Sequence, residues 1–122
     1  MYTKLIGKTI KSITGLSESS EVVIINFTDG SLITQTHDQD CCETVQVEQV
    51  DGPVAKHIGA KFYGLDEKEI GNYEQVVNGY DSLTATFYTL KTSAGYLDWR
   101  WYGESNGYYS ESVDTSIIAK RN

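Results

Sequence analysis

The run His37-Asp38-Gln39-Asp40-Cys41-Cys42-Glu43 holds the highest density of side chains able to do chemistry. Imidazole, carboxylate and thiolate all donate to zinc, so a transition-metal site is the first chemistry to weigh. The spacing argues against it. Adjacent cysteines lack the intervening residues of a zinc knuckle, and no second Cys pair or His-x₃₋₅-His element occurs elsewhere. No metal or other cofactor is therefore expected. A vicinal pair can also close a strained ring, but a cytosolic setting favours reduced cysteines. The expectation is two free thiols, one turned inward and one outward, since neighbouring strand residues point opposite ways.

The second concentration runs from Trp99 to Val113, where two aromatic runs flank Asn106-Gly107. Asn-Gly accepts the two positive φ angles of a type I′ turn, which predicts a β-hairpin. A two-residue turn places Ser105 opposite Tyr108, Glu104 opposite Tyr109, Tyr102 opposite Glu111 and Arg100 opposite Val113. Side chains alternate along a strand, so Leu97, Trp99 and Trp101 take the core face. Tyr96, Asp98, Arg100, Tyr102, Glu104, Tyr109 and Glu111 share the other, partly wet face. Arg and Tyr combine area with hydrogen bonding, which makes that face a candidate contact surface. Its residues are Arg100, Tyr102, Glu104, Tyr109 and Glu111; Ser105 and Asn106 at the turn are further ligand- or partner-binding candidates, with His37, Asp38 and Asp40 as a second group that could join them.

Catalysis is the less favoured use of these residues. Glu104 with Glu111, or His37 with Asp38 and Asp40, could act as acid and base if their pKa values were driven apart. Gly103-Glu104-Ser105-Asn106-Gly107 matches the offsets of Gly-x-Ser-x-Gly. A nucleophile elbow, however, needs a strand-to-helix turn and a later histidine, whereas here a strand is expected to follow and both histidines come earlier. No catalytic residue is assigned.

The elements that must position these groups read mostly as strands. A strand is expected near residues 8–14. The β-branched run Val22-Val23-Ile24-Ile25 turns at Thr28-Asp29-Gly30 and returns through 31–36. Val45 and Val47 alternate with Gln46 and Glu48. Pro53 opens a short helix over 54–58, with Asp51 as its cap and His57 on its surface. Residues 60–82 show no clean period and read as a long connection, with a possible helical turn at 66–69. A strand over 83–90 and the aromatic hairpin follow, and residues 116–119 close as a short strand or helix. The fold class is α+β and β-rich: an antiparallel curved sheet or partly open barrel built from hairpins, with one or two short helices.

Length and charge bound the partners. At 122 residues the chain fits a single domain spanning 1–122. Nine Tyr, three Phe and two Trp supply apolar area despite a net charge of −7. No apolar run reaches the ~18 residues of a membrane span, and Met1-Tyr2-Thr3-Lys4 has no signal-peptide core, so a cytoplasmic location and no membrane partner are expected. From Ser12 to Ala55 there is no Lys or Arg. That acidic stretch disfavours duplex nucleic acid, whose binding rests on cationic contacts. Small basic groupings occur only at the chain ends: Lys4, Lys8 and Lys11, then Lys120 and Arg121.

Taken together, His37-Asp38-Gln39-Asp40-Cys41-Cys42-Glu43 with Val45, the Ile58-Gly59 pair, Thr86-Phe87-Tyr88 and Arg100-Trp101-Tyr102-Gly103-Glu104-Ser105-Asn106-Gly107-Tyr108-Tyr109-Ser110-Glu111-Ser112-Val113 resemble a family of small uncharacterised proteins of bacteriophages, prophages and some bacteria. The similarity covers nearly the whole chain, apart from residues 60–82, which vary within that family. It is a domain of unknown function. The resemblance implies a phage origin and supplies no catalytic residues. The expected function is non-enzymatic binding of a host or defence protein by occupancy. The alternative is a trap for a small nucleotide, with rings stacking on the base, Arg100 on a phosphate, and Ser105 and Asn106 adding hydrogen bonds.

Overall fold

Alternating burial builds each sheet from hairpins. The computed structural model describes residues 2–39, 41–71, 82–105 and 110–121. Strands β1 (Ile10–Thr14), β2 (Val22–Phe27), β3 (Leu32–Thr36), β4 (Thr44–Asp51), β5 (Phe62–Gly71), β6 (Ser82–Thr92), β7 (Gly95–Ser105) and β8 (Asp114–Ile118) form two antiparallel sheets. Their orders are β1-β2-β3-β8 and β4-β7-β6-β5. Short 3₁₀ turns at Thr3–Leu5 and Val54–His57 are the helical elements among the described residues, and no helix there is long and apolar enough to cross a membrane. The β-rich antiparallel expectation holds. The sheets do not close into a barrel. They are stitched by a Thr9–Lys61 bridge and by Ser19 and Ser20, which pair with Val47.

One core lies between the sheets. Val23, Ile25, Phe27 and Ile33 come from the first sheet, and Val45, Val47, Phe62, Leu65, Leu90, Leu97, Trp99 and Trp101 from the second. Gln35, on the inner side of β3 and only 1% exposed, crosses this core. Its Oε1 accepts both indole N–H groups, from Trp99 at 2.9 Å and Trp101 at 3.1 Å. An indole can only donate, so the atom facing both rings must be the amide oxygen. The Gln35 Nε2 group finds no hydrogen-bond partner among the described residues.

Three expectations need correction. The aromatic hairpin does not form: β7 pairs with β6 on one side and β4 on the other. Arg100 lies opposite Gln49 and Phe87, and Tyr102 opposite Gln46 and Ala85, so both ladder edges are filled and no third strand can add through 111–113. The expected Asn106-Gly107 corner, with Tyr108 and Tyr109, falls outside the described residues. Second, 62–71 is strand β5 and not a connection. It is an edge strand whose outer half, Asp66-Glu67-Lys68-Glu69, is exposed, and charge on an edge hides the apolar alternation that sequence reading relies on.

Third, His57 is fully buried, not on the surface. Its Nδ1 lies 2.7 Å from Thr92 Oγ1 and its Nε2 has no hydrogen-bond partner among the described residues. Burial, reinforced by the neighbouring Lys56 charge and opposed by the Tyr96 backbone, pulls its pKa below the usual value. The unfolded chain takes up this proton near the ordinary histidine pKa of ~6.5 while the folded chain resists it, so stability contributed by neutral His57 is lost as pH falls through that range. The melting temperature is expected to drop between pH 7 and pH 5, and to drop less in His57→Gln. Parallel pH profiles for the two proteins would contradict the assignment.

Candidate functional site

In the connection from β3 to β4, the described residues 37–39 and 41–43 gather around one carboxylate. His37 Nδ1 lies 2.8 Å from the Ser112 carbonyl oxygen and Nε2 lies 3.0 Å from Glu43 Oε2. The two side chains are 5% and 1% exposed. A carbonyl only accepts, so Nδ1 carries a hydrogen; the Nε2–Oε2 contact then needs one more proton, on the ring or on the carboxyl. Glu43 Oε1 accepts from Gln39 Nε2 at 3.1 Å and from the Cys41 N–H at 2.9 Å. Gln39 also holds the Glu43 carbonyl oxygen at 2.5 Å. A buried carboxylate saturated in this way acts as a structural hub, because any lost donor would leave it desolvated and unpaired.

The same end of the fold carries a second buried carboxylate. Glu111 Oε1 accepts from Ser82 at 3.1 Å and Thr84 at 2.8 Å, and Oε2 accepts from Ser105. Glu111 is 7% exposed. It reaches the inner face of the second sheet because β7 has no side chain at Gly103. A Cβ there would stand 2.6 Å from both the Glu111 carbonyl oxygen and its Cβ. The 110–113 segment is thus a strap: Glu111 binds the β6–β7 hydroxyls, the Ser112 carbonyl receives His37, and Val113 joins the core.

The candidate residues therefore separate into two places. His37, Ser105 and Glu111 belong to the buried polar end. This corrects the expectation that Glu111 shares a face with Arg100 and that Ser105 is available to a ligand. Arg100, Tyr102 and Glu104 lie on the outer face of β7, as strand alternation predicts, and each is half-buried. Asp38 is exposed beside the His37 loop. Asp40, Asn106 and Tyr109 lie outside the described residues. Cys41 and Cys42 are also a correction: both are exposed and joined to each other as a disulfide. Among the described residues no three His, Cys, Asp or Glu side chains gather as a metal-ligand set.

On the outer face the guanidinium is held from several sides. Arg100 Nε and one terminal nitrogen reach Glu48 Oε2 at 2.8 and 2.5 Å, and that nitrogen also reaches Gln49 Oε1 at 2.8 Å. The cation sits 5.0 Å from the Tyr102 ring centroid and 5.7 Å from that of Phe87, a cation–π arrangement. Beside it a shallow hollow of about 250 Å³ is lined by Asp51, Phe87, Thr89, Asp98 and Arg100 among others. Sequence reading missed Glu48, Gln49 and Phe87 as members of this surface. The signal was present in the outward positions of β4 and β6, but not the knowledge that those strands flank β7.

Residues 3–115 match the profile of a family described as "Domain of unknown function (DUF7448)". No curated protein and no solved structure matches the chain.

Proposed function

The chain belongs to the DUF7448 family, and since that description carries no activity, we propose from its geometry a non-enzymatic binding protein that acts by occupancy on a host or defence protein, with a phage origin taken from the sequence resemblance alone. The observation that carries this reading is the outer face of β7, where Arg100 is fixed by Glu48 and Gln49 between Tyr102 and Phe87. Arg and Tyr dominate interface hot spots. A guanidinium already held in one geometry loses little freedom when a partner docks, so more of each new contact appears as affinity. The acid and base groups favour the same reading from the other direction. Glu43 and Glu111 are buried and saturated by hydroxyl, amide and imidazole partners, which suits them to holding loops in place more than to exchanging protons with a substrate.

A tagged chain incubated with host extract, followed by measured affinity for each recovered protein, tests the proposal. Arg100→Glu is expected to weaken the specific partner at least tenfold, and Tyr102→Ala to weaken it by a smaller factor. The Arg100–Glu48 pair is partly solvent-exposed, with side chains 21% and 35% accessible, so its loss should cost at most about 1 kcal/mol of stability. That bound covers loss of the Arg100–Glu48 pair alone, so unchanged amide dispersion is the folding control for both variants. If every recovered partner bound both variants as tightly as wild type, the outer face would be the wrong surface.

A further inference from the structure

The two basic groupings at the chain ends meet on one pole of the fold, around the β2–β3 turn Thr28-Asp29-Gly30. Lys8 Nζ pairs with Asp29 and donates to the Lys120 carbonyl oxygen at 3.1 Å. The Lys120 N–H donates to Ser31 Oγ at 2.8 Å, and its side chain runs beside Gly30, 3.7 Å from where a Cβ would sit. Lys4 and Lys11 line two surface hollows of about 360 and 540 Å³ that share Thr28 and Asp29. Asp29 is matched by Lys8. Lys4, Lys11, Lys120 and Arg121 form no ion pair among the described residues. On a protein of net charge −7 with ten Lys and Arg in all, Lys4, Lys11 and Lys120 beside one turn, with Arg121 next in the chain, form a local field opposite in sign to the whole.

The walls indicate what such a field would hold. The hollows present hydroxyl and amide donors from Thr9, Ser12, Asn26 and Thr28. Phe27 is the one ring lining them, and it is buried at 1%, so there is no exposed surface on which a base could stack. Ile6 is the one large exposed apolar side chain there, at 53%, which is too little for the desolvated centre of a protein interface. We propose that this pole is a binding site for a compact polyphosphate anion, gripped through its phosphate oxygens by Lys4, Lys11 and Lys120. A short anion needs only these lysines, whereas duplex binding needs many cationic contacts along a backbone, and the chain has ten Lys and Arg in all. The site lies apart from the β7 face, so its test is independent of that reading.

The experiment is a titration of the ¹⁵N-labelled full chain with sodium tripolyphosphate at low salt, followed by amide shifts. Saturable shifts are expected at Lys8, Thr28, Gly30 and Lys120, weakening as salt screens the charges. AMP, with one phosphate, should bind at least tenfold more weakly. The double variant Lys11→Glu/Lys120→Glu should lose about tenfold or more, equivalent to removing about 1.4 kcal/mol of binding, with unchanged amide dispersion elsewhere as the folding control. Three results would overturn the site: no shift at these amides with millimolar tripolyphosphate, equal affinity in the double variant, or an equal response to a tetraglutamate peptide. The last would identify an acidic-peptide surface instead.

Discussion

Gly103→Ala is expected to melt about 8–12 °C below wild type, from a loss of ~2–3 kcal/mol at ~4 °C per kcal/mol for a chain of this size. A methyl group at 103 would stand 2.6 Å from the Glu111 Cβ and carbonyl oxygen and 3.0 Å from its Cα. Two of those atoms belong to backbone and cannot swing aside as a long side chain would. Neither strand nor strap can yield cheaply. Gly103 lies between Val45 of β4 and Thr84 of β6, while Glu111 is tied to three hydroxyls and the next carbonyl to His37. The strap should lift first, because it has fewer backbone bonds than β7, and hydrogen exchange should rise at the amides of 111–113 before the sheet. Gly71→Ala is the control, since nothing among the described residues lies within 4 Å of its would-be Cβ; its stability should stay within ~0.5 kcal/mol of wild type. If both glycine variants melted together with wild type, the strap could not cross β7 at Gly103.

Gln35→Leu should destabilise the fold by ~2–4 kcal/mol, measured by urea unfolding followed through indole fluorescence. The change removes one acceptor and strands two buried donors, the Nε1–H groups of Trp99 and Trp101. Each stranded donor costs ~1–3 kcal/mol, and part of this is returned because the unpartnered Gln35 Nε2 group disappears as well. A cycle with Trp101→Phe separates the terms. Once the Trp101 N–H is gone, Gln35→Leu strands only one donor, so the two changes together should cost less than their sum by ~1 kcal/mol or more. Strict additivity would mean that Gln35 and Trp101 do not share this bond.

The site was legible where chemistry follows from local alternation and obscure where it depends on which strand lies next to which. Period two along 97–104 places Leu97, Trp99 and Trp101 inside and Arg100, Tyr102 and Glu104 outside, and the structure agrees, because strand geometry is a property of successive residues. The residues that seize Arg100 come from 48, 49 and 87, far away in sequence and without a motif of their own. Glu111 shows the same limit. In sequence it sits among tyrosines and serines as a surface strand would, yet it turns inward because Gly103 leaves room and Ser82, Thr84 and Ser105 supply three hydroxyl donors.

By itself the sequence determined that the chain is β-rich and antiparallel, that both indoles are buried, and that a guanidinium stands on the outer side of their strand. Only the tertiary structure decided that this strand is central and not half of a terminal hairpin. It also decided that His57, Glu43 and Glu111 are interior, that the two cysteines are joined, and that the lysines of both chain ends meet at one turn. The physical reason is range: side-chain alternation is fixed by neighbouring φ and ψ angles, whereas strand order, and the enclosure of a polar atom by distant donors, are set by contacts among segments that the chain brings together only when it folds.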